Sequence, residues 1–136
     1  MENCVFCKIV EGKIPSAKVY EDSQTIAFLD INPANKGHCL AVPKKHSSDM
    51  IHTDDTVLQS LLPVAKKVAA ALVAATGCSG YNLHMANGKD AGQEVFHLHI
   101  HIVPRFAGDG IEFQYEIKNY AETEMKEYQE KIRKFL

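Results

Sequence analysis

The segment His97-Leu98-His99-Ile100-His101 constrains the chain more than any other, because polar and apolar side chains alternate strictly along it. Alternation with a period of two predicts a β-strand that has one apolar face and one polar face. Its polar face would carry three imidazoles, each about 7 Å from the next. Imidazole is neutral near pH 7 and can serve as a metal ligand, a nucleophile or an acid–base group. Only seven histidines occur in 136 residues, so the segment is predicted to be a functional site.

The other patterns predict one α+β domain built on a mainly antiparallel sheet, since short strands follow one another closely and the helices stand apart from them. The predicted strands are 19–21, 25–29, 38–42, 81–86 and 95–103, and the predicted helices are 5–10, 54–76 and a final one that carries Met125, Tyr128, Ile132 and Phe135 on one stripe. Pro63 should kink or split the long helix, and Gly77 should end it. We expect residues 1–106 to form the main domain. Residues 107–136 would be an extension whose terminal helix packs on that domain.

Charge and hydropathy limit the classes of partner. The net charge of -2 argues against a nucleic-acid surface, which normally shows a basic stripe. The longest apolar run, residues 68–75, falls short of the ~20 residues that a membrane span requires. The first residues also lack the basic and apolar regions of a signal peptide. We therefore expect a cytoplasmic protein that binds neither nucleic acid nor membranes.

Cys4 and Cys7 form a Cys-x-x-Cys pair, which in a reducing compartment indicates a metal site or a redox site. A redox pair would follow a strand, and only three residues precede Cys4, so a metal is favoured. Zinc requires four ligands, and the second half of the site must come from far along the chain, with His46 and the histidine strand as candidates. The histidine strand could instead bind metal alone, through His97 and His99 or through all three histidines. Cys39 is predicted to be a small core residue.

A glycine-containing loop, Asn87 to Gln93, directly precedes the histidine strand. Glycines let backbone amides approach an anion closely, and amide side chains can donate hydrogen bonds to phosphate oxygens. An Asn-Gly pair is also typical of an ordinary hairpin turn. Its position beside the imidazoles favours the phosphate-binding interpretation.

These motifs, in this order, resemble the histidine triad (HIT) superfamily of nucleotide hydrolases and transferases. The resemblance covers about residues 4–106 and includes the segments Phe28-Leu29-Asp30-Ile31 and Pro43-Lys44-Lys45-His46. It is strongest to the Hint branch in its zinc-carrying bacterial or archaeal form. Such proteins are homodimers with an α+β fold, so the resemblance implies a homodimer here.

The resemblance also assigns roles to individual residues. It implies that His99 is the nucleophile that attacks the α-phosphorus and that His101 and His38 contact the phosphate. Asp30 would accept the ribose hydroxyls, and Asn87 and Gln93 would contact the phosphate. The apolar walls of a purine pocket would be formed by Val5, Phe6, Ile9, Phe28 and Ile31. A structural zinc would be held by Cys4, Cys7, His46 and His97.

The implied function is hydrolysis of purine nucleoside phosphoramidates or adenylates to a nucleoside monophosphate, through a nucleotidyl-histidine intermediate. One alternative is a dinucleoside polyphosphate hydrolase of the Fhit branch, whose strand also ends like Val103-Pro104-Arg105. Another is a nucleotide-binding partner protein with little turnover. The chain departs from eukaryotic Hint proteins in two ways. Glu94 replaces the serine that assists the leaving group, and there is no tryptophan in the tail.

Overall fold

The computed structural model of the chain describes residues 3–136. Its elements are α1 (Val5–Val10), β1 (Lys18–Glu21), β2 (Thr25–Leu29), β3 (Cys39–Pro43), α2 (Asp55–Thr76), β4 (Gly80–His84), a 3-10 turn (Lys89–Ala91), β5 (Ile100–Arg105) and α3 (Glu124–Arg133). The strands form one sheet in the order β1-β2-β3-β5-β4, and every neighbouring pair is antiparallel. The predicted α+β class with an antiparallel sheet is therefore confirmed.

One face of the sheet packs against α2 and forms the larger core. Apolar residues recur along α2 at helical spacing, so they lie on one stripe, and alternate residues of the strands point toward that stripe. The buried residues of this core include Ala27, Cys39, Ala41, Ile100 and Ile102 from the strands and Leu61, Val64, Val68 and Leu72 from α2. Cys39 is 2% exposed, as predicted for a core residue.

The opposite face of the sheet packs against α1 and carries the histidines. Phe6 is the buried residue of α1, and it lies in a second core cluster with Ile26, Phe28, Leu40 and Val42. Leu40 stands opposite His101 in the register of β3 and β5, so the two side chains share this face. The face is thus apolar over β2 and β3 and polar along β5.

The predicted split of the long helix at Pro63 is wrong, because α2 runs without interruption from Asp55 to Thr76, and a kink at Pro63 stays a prediction. Pro63 is exposed, so the carbonyl that loses its hydrogen bond can be hydrated. A proline inside a helix costs about 3 kcal/mol. Each of the four buried Leu and Val residues of α2 contributes roughly 1.5–3 kcal/mol, so packing on the sheet outweighs the cost. Gly77 ends the helix in the left-handed conformation, with φ of 67°.

By length and composition alone, α2 could also cross a membrane, since it has 22 residues and a mean hydropathy of 1.5 over its most apolar window. The longest apolar run, residues 68–75, did not predict this property of the whole helix. In the structure, however, six residues of α2 are buried and pack on the sheet. This arrangement is typical of the core helix of a globular domain.

The histidine strand is shorter at its start and longer at its end than the predicted strand 95–103. The strand β5 begins at Ile100 and continues through Pro104 to Arg105. The carbonyl of Pro104 accepts a hydrogen bond from the Asn35 side chain and therefore points away from β4. The nitrogen of Pro104 points to that same side, where the pairing with β3 has already ended at Ile102. No ladder hydrogen bond is therefore lost.

The chain beyond β5 is anchored at one point and otherwise extends into solvent. The Arg105 guanidinium binds Asp109 through Nε at 2.8 Å, Asn82 Oδ1 at 2.7 Å and the carbonyl of Ile111 at 2.7 Å. No residue of α3 is buried. Its predicted apolar stripe, Met125, Tyr128, Ile132 and Phe135, is exposed. The predicted packing of this helix on the same domain is therefore not seen in the single chain.

Candidate active site and metal site

His99 is buried between the sheet and α1, and its ring is oriented by one hydrogen bond. The His99 Nδ1 lies 2.7 Å from the carbonyl oxygen of His97. A carbonyl oxygen only accepts, so Nδ1 carries the proton and Nε2 keeps its lone pair in the neutral ring. The Phe6 ring packs edge-on against the imidazole at a centroid distance of 5.0 Å. The arrangement presents Nε2 of His99 as a nucleophile.

His38 and His101 form a hydrogen-bonded pair beside His99. The backbone N–H of Ala34 donates to His38 Nδ1 at 3.0 Å, so the proton of a neutral His38 ring is on Nε2. That nitrogen lies 2.9 Å from His101 Nδ1 and 3.6 Å from Asp30 Oδ2. His101 then accepts at Nδ1 and carries its own proton on Nε2. It can therefore donate a hydrogen bond to a phosphate oxygen.

Burial keeps these imidazoles neutral near pH 7. Burial lowers the pKa of His38 and of His99 below the usual value. Burial, together with the neighbouring His99 and His38 rings, lowers the pKa of His101 to about 4. A neutral His99 is a nucleophile, whereas a neutral His101 is a hydrogen-bond donor and a poor proton donor.

The low pKa of His101 predicts an acid-dependent loss of stability. The folded pKa lies below the ordinary value, so the stabilisation is complete above pH 6.5 and is lost as the pH falls toward 4. Between pH 7.5 and pH 5 we expect His101 to account for about 2 kcal/mol of the decrease in the free energy of unfolding. Urea unfolding of the wild type and of His101→Gln at both pH values measures this contribution. Equal decreases in the two proteins would contradict it.

The residues predicted to line a purine pocket lie on α1 and at the end of β2. Phe6 and Phe28 are buried with ring centroids 5.6 Å apart, so they belong to the core. Val5 is 38% exposed and Ile31 is 92% exposed, so these two apolar side chains are available to a planar ligand. Ile9 is half-buried against the same cluster.

Asp30 follows β2, and its two carboxylate oxygens have different surroundings. Oδ1 accepts a hydrogen bond from the Asn32 backbone at 2.8 Å, which fixes the turn. Oδ2 faces His38 and His101, at 3.6 Å and 4.0 Å. One carboxylate oxygen is therefore held in the turn, and the other faces the two imidazoles.

Asn87 and Gln93, which are predicted to contact the phosphate, also form hydrogen bonds with the backbone around the loop before the histidines. The Gln93 Oε1 accepts from the N–H of Gly88 at 2.8 Å, while its Nε2 donates to the carbonyl of Ser48 at 2.6 Å. Asn87 Oδ1 accepts from the Met50 backbone at 2.7 Å. Any phosphate contact by Asn87 would therefore come from Nδ2. Gln93 is 5% exposed, and holding the loop is the role that its contacts support.

The candidate metal ligands Cys4, Cys7, His46 and His97 come together from three separate segments. Their donor atoms all lie within 4.8 Å of one another. The distances include Cys4 Sγ to His97 Nδ1 at 3.4 Å, Cys7 Sγ to His46 Nδ1 at 3.3 Å, and Cys7 Sγ to His97 Nδ1 at 3.6 Å. A tetrahedral zinc with Zn–S and Zn–N bonds of usual length separates its ligand atoms by about 3.3–3.8 Å. The donor set therefore fits a structural zinc.

The orientation of His97 gives independent support for a metal. The His97 Nε2 donates to the carbonyl of Pro43 at 2.7 Å, so Nδ1 has a free lone pair directed at the cysteines. Burial and the neighbouring Cys4 raise the pKa of Cys7 to about 11. A metal ion would therefore displace a proton from this thiol. The Nδ1 of His99 donates a hydrogen bond to the carbonyl of His97, and the Nδ1 of His101 accepts one from His38. These two nitrogens are therefore not available for a metal site formed by the histidine segment alone.

One histidine near the site was missed by sequence reasoning. His84 ends β4 and pairs in register with His101, with ring centroids 5.7 Å apart. The alternation of its strand could have placed it on one face, but the sequence does not reveal which strand it pairs with. The backbone carbonyls of Pro43 and His97, which orient the imidazoles, also have no sequence signal.

A cavity of about 270 Å³ lies on the other face of the sheet, between α2 and β1. Its lining is apolar and includes Val19, Leu29, Ala71 and Leu72, with Lys67 as its one charged residue. This lining offers no acid–base pair comparable to the imidazoles, so the chemistry is assigned to the histidine face.

A family model and several known proteins match most of this chain in sequence. Residues 11–108 match the family model of the HIT domain. The chain is 49% identical over 117 residues to a HIT-like protein of Methanocaldococcus jannaschii, covering 85% of this chain and 90% of that one. It is 44% identical over 103 residues to an adenosine 5'-monophosphoramidase of Schizosaccharomyces pombe, covering 76% and 74%. It is 43% identical over 103 residues to an adenylylsulfatase of Arabidopsis thaliana, covering 76% and 52%.

Solved structures show the same fold. A Streptococcus mutans protein superposes with a TM-score of 0.93 and 43% identity, covering 98% of this chain and 85% of that one. A zinc-bound histidine triad protein of Mycobacterium smegmatis superposes with a TM-score of 0.79 and 36% identity, covering 86% and 85%. The similarity extends over nearly the whole chain for the first of these structures.

Proposed function

Because the chain belongs to the HIT domain family, we propose that it is a nucleotide hydrolase that cleaves purine nucleoside phosphoramidates or adenylates to a nucleoside monophosphate. The hydrogen bond from His99 Nδ1 to the His97 carbonyl carries the proposal, since it leaves Nε2 free to attack phosphorus. Relatives named adenosine 5'-monophosphoramidase and adenylylsulfatase support this reaction class.

The reaction would proceed by two displacements at phosphorus. Nε2 of His99 attacks the α-phosphorus, the P–Nε2 bond forms, and the bond to the leaving group breaks. Water then attacks the same phosphorus, the P–Nε2 bond breaks with its electron pair returning to the imidazole, and the proton of the water passes to His101 as the nucleoside monophosphate is released. A departing amine requires a proton, and the negative charge of a bound phosphate opposes the factors that lower the pKa of His101. His101, protonated to the imidazolium form when the phosphate is bound, would then supply that proton from its Nε2 and become neutral.

The neighbouring residues would bind the two ends of the nucleotide. His38 and His101 would hold the phosphate, and Asp30 Oδ2, which faces them, would accept hydrogen bonds from the ribose. The purine would lie against the apolar residues of α1 and β2. The walls of this pocket would be Val5, Phe6, Ile9, Phe28 and Ile31, and Asn87 and Gln93 would shape the loop on the phosphate side.

We also propose a structural zinc bound by Cys4, Cys7, His46 and His97. When bound, the ion would join α1 to the segment that contains the nucleophile and would take no direct part in the chemistry. His97 is two residues from His99, and Phe6 of α1 contacts both imidazoles at centroid distances of 5.9 and 5.0 Å. The zinc-bound neighbour from Mycobacterium smegmatis supports this assignment.

Two further properties are part of the proposal. A homodimer is supported by β4, which is an edge strand of the sheet. Its Tyr81 and Leu83 side chains are 49% and 45% exposed. An unpaired edge strand with exposed apolar side chains can pair with the same strand of a second copy of the chain. Sedimentation of the purified protein would give its mass in solution.

A cytoplasmic location is supported by four free cysteines, which persist in a reducing compartment.

Substrate preference tests the proposed function. Zinc-loaded wild type should hydrolyse adenosine 5'-phosphoramidate with a higher kcat/KM than a diadenosine polyphosphate, because Arg105 is already engaged by Asp109 and Asn82 and is not free for a longer phosphate chain. A marked preference for the diadenosine polyphosphate would instead identify the Fhit-like activity. Nucleotide binding without turnover of either compound would identify a binding protein.

A further inference from the structure

His84 is a fourth histidine on the face of the sheet that carries the triad. It stands opposite His101 in the register of β4 and β5, and directly opposed residues of antiparallel strands point to the same face. The two rings are 5.7 Å apart. His84 is exposed, in contrast to the buried His99. Its ring is therefore open to a ligand bound over β5.

Together with three residues of the proposed site, His84 completes a polar row across the sheet. The row consists of Asp30 after β2, His38 before β3, His101 in β5 and His84 at the end of β4. Asp30 Oδ2 is 3.6 Å from His38 Nε2, and His38 Nε2 is 2.9 Å from His101 Nδ1. The proposed ribose lies at the Asp30 end and the phosphorus beside His101. The end of the row beyond the phosphorus is His84.

We propose that His84 binds the leaving group of the substrate when this group is an oxyanion such as sulfate or phosphate. The inference rests on the proposed function, since it requires a nucleotide placed with its phosphorus at His99. An imidazole N–H can donate to an oxyanion, and a hydrogen bond to a charged group is among the stronger ones in proteins.

The chemistry of the step agrees with this geometry. When the P–O bond to sulfate breaks, sulfate leaves with the electron pair and needs no proton. When the P–N bond of a phosphoramidate breaks, the amine leaves with the electron pair and must gain a proton. Hydrogen bonds from His84 would therefore stabilise a departing oxyanion, whereas a departing amine depends on the proton from His101.

Pairing of β4 with a second copy would use its backbone edge and would leave His84 on the site face.

The test compares two substrates in three proteins: the wild type, His84→Ala and His84→Arg. The substrates are adenosine 5'-phosphosulfate, which releases an oxyanion, and adenosine 5'-phosphoramidate, which releases ammonia. We expect His84→Ala to lower kcat/KM for the phosphosulfate by roughly tenfold or more and to change that for the phosphoramidate less than twofold. His84→Arg should retain activity on the phosphosulfate because its guanidinium also donates to sulfate. His52→Ala, which removes an exposed histidine that binds Asp49, is the matched control.

The outcomes separate this inference from the proposed function. If the wild type hydrolyses neither compound, the proposed function itself fails. If the wild type is active but His84→Ala loses activity equally on both substrates, or on neither, the leaving-group role of His84 is overturned. Equal phosphosulfate kinetics for His84→Ala and His84→Arg would also overturn it, since a donor would then give no benefit.

Discussion

Replacement of His99 by alanine is expected to reduce hydrolysis of adenosine 5'-phosphoramidate by about 10⁴-fold or more, which is the order of loss when a covalent catalyst loses its nucleophile. The physical reason is the single free lone pair that the structure directs into the site. His99 Nδ1 is bound to the carbonyl of His97, and burial lowers the pKa of the ring. His38 and His101 do not offer an equivalent nitrogen, because their facing nitrogens are hydrogen-bonded to each other.

The measurement is kcat/KM for wild type and His99→Ala, together with the affinity of each for adenosine 5'-monophosphate. Binding should change little while turnover is lost, because Asp30 and the apolar pocket remain. His52→Ala controls for loss of a histidine elsewhere. A rapid-quench experiment with the wild type should trap one nucleotide per active site, attached to the protein. Substantial turnover by His99→Ala would exclude the covalent mechanism.

The second large effect concerns zinc. The wild type should contain about one zinc per chain, and Cys7→Ser should contain much less, because the substitution removes one of four ligands. We expect the free energy of unfolding to fall by roughly 3–6 kcal/mol. This is less than the binding energy of zinc-finger peptides, because the sheet and α2 form a core without the metal. Activity should fall as well, because Phe6 of α1 packs against His99.

Metal content by atomic absorption and urea unfolding measure this effect. Cys78→Ser provides the matched control: Cys78 is buried but is not in the group of metal ligands, so this variant should keep its zinc. A chelator should lower the stability of the wild type toward that of Cys7→Ser and should leave Cys7→Ser unchanged. Unaltered zinc content in Cys7→Ser would reject the proposed ligand set.

Local patterns predicted most elements of the fold. The strand β2 was placed at its observed ends, Thr25 and Leu29, and the end of α2 before Gly77 was predicted from the glycine. The errors arose where tertiary packing opposes local preference. Pro63 is accommodated because the buried face of α2 outweighs the lost hydrogen bond. Pro104 is accommodated because its nitrogen lies where the neighbouring strand has ended.

The sequence by itself determined which chemical groups are present and that the three imidazoles share one side of the chain, because alternation of polar and apolar residues is a local property. Only His101 lies in a strand, since β5 begins at Ile100, so the prediction of one strand carrying all three imidazoles is wrong for His97 and His99. It also indicated the HIT family, since ordered motifs are carried by the sequence itself. The tertiary structure decided which nitrogen of each imidazole is free, because the carbonyls of His97 and Pro43 that fix the tautomers are backbone groups. It also decided that His46 joins His97 and the cysteines and that His84 faces His101. Such contacts between distant segments depend on strand register and packing, which no local pattern specifies.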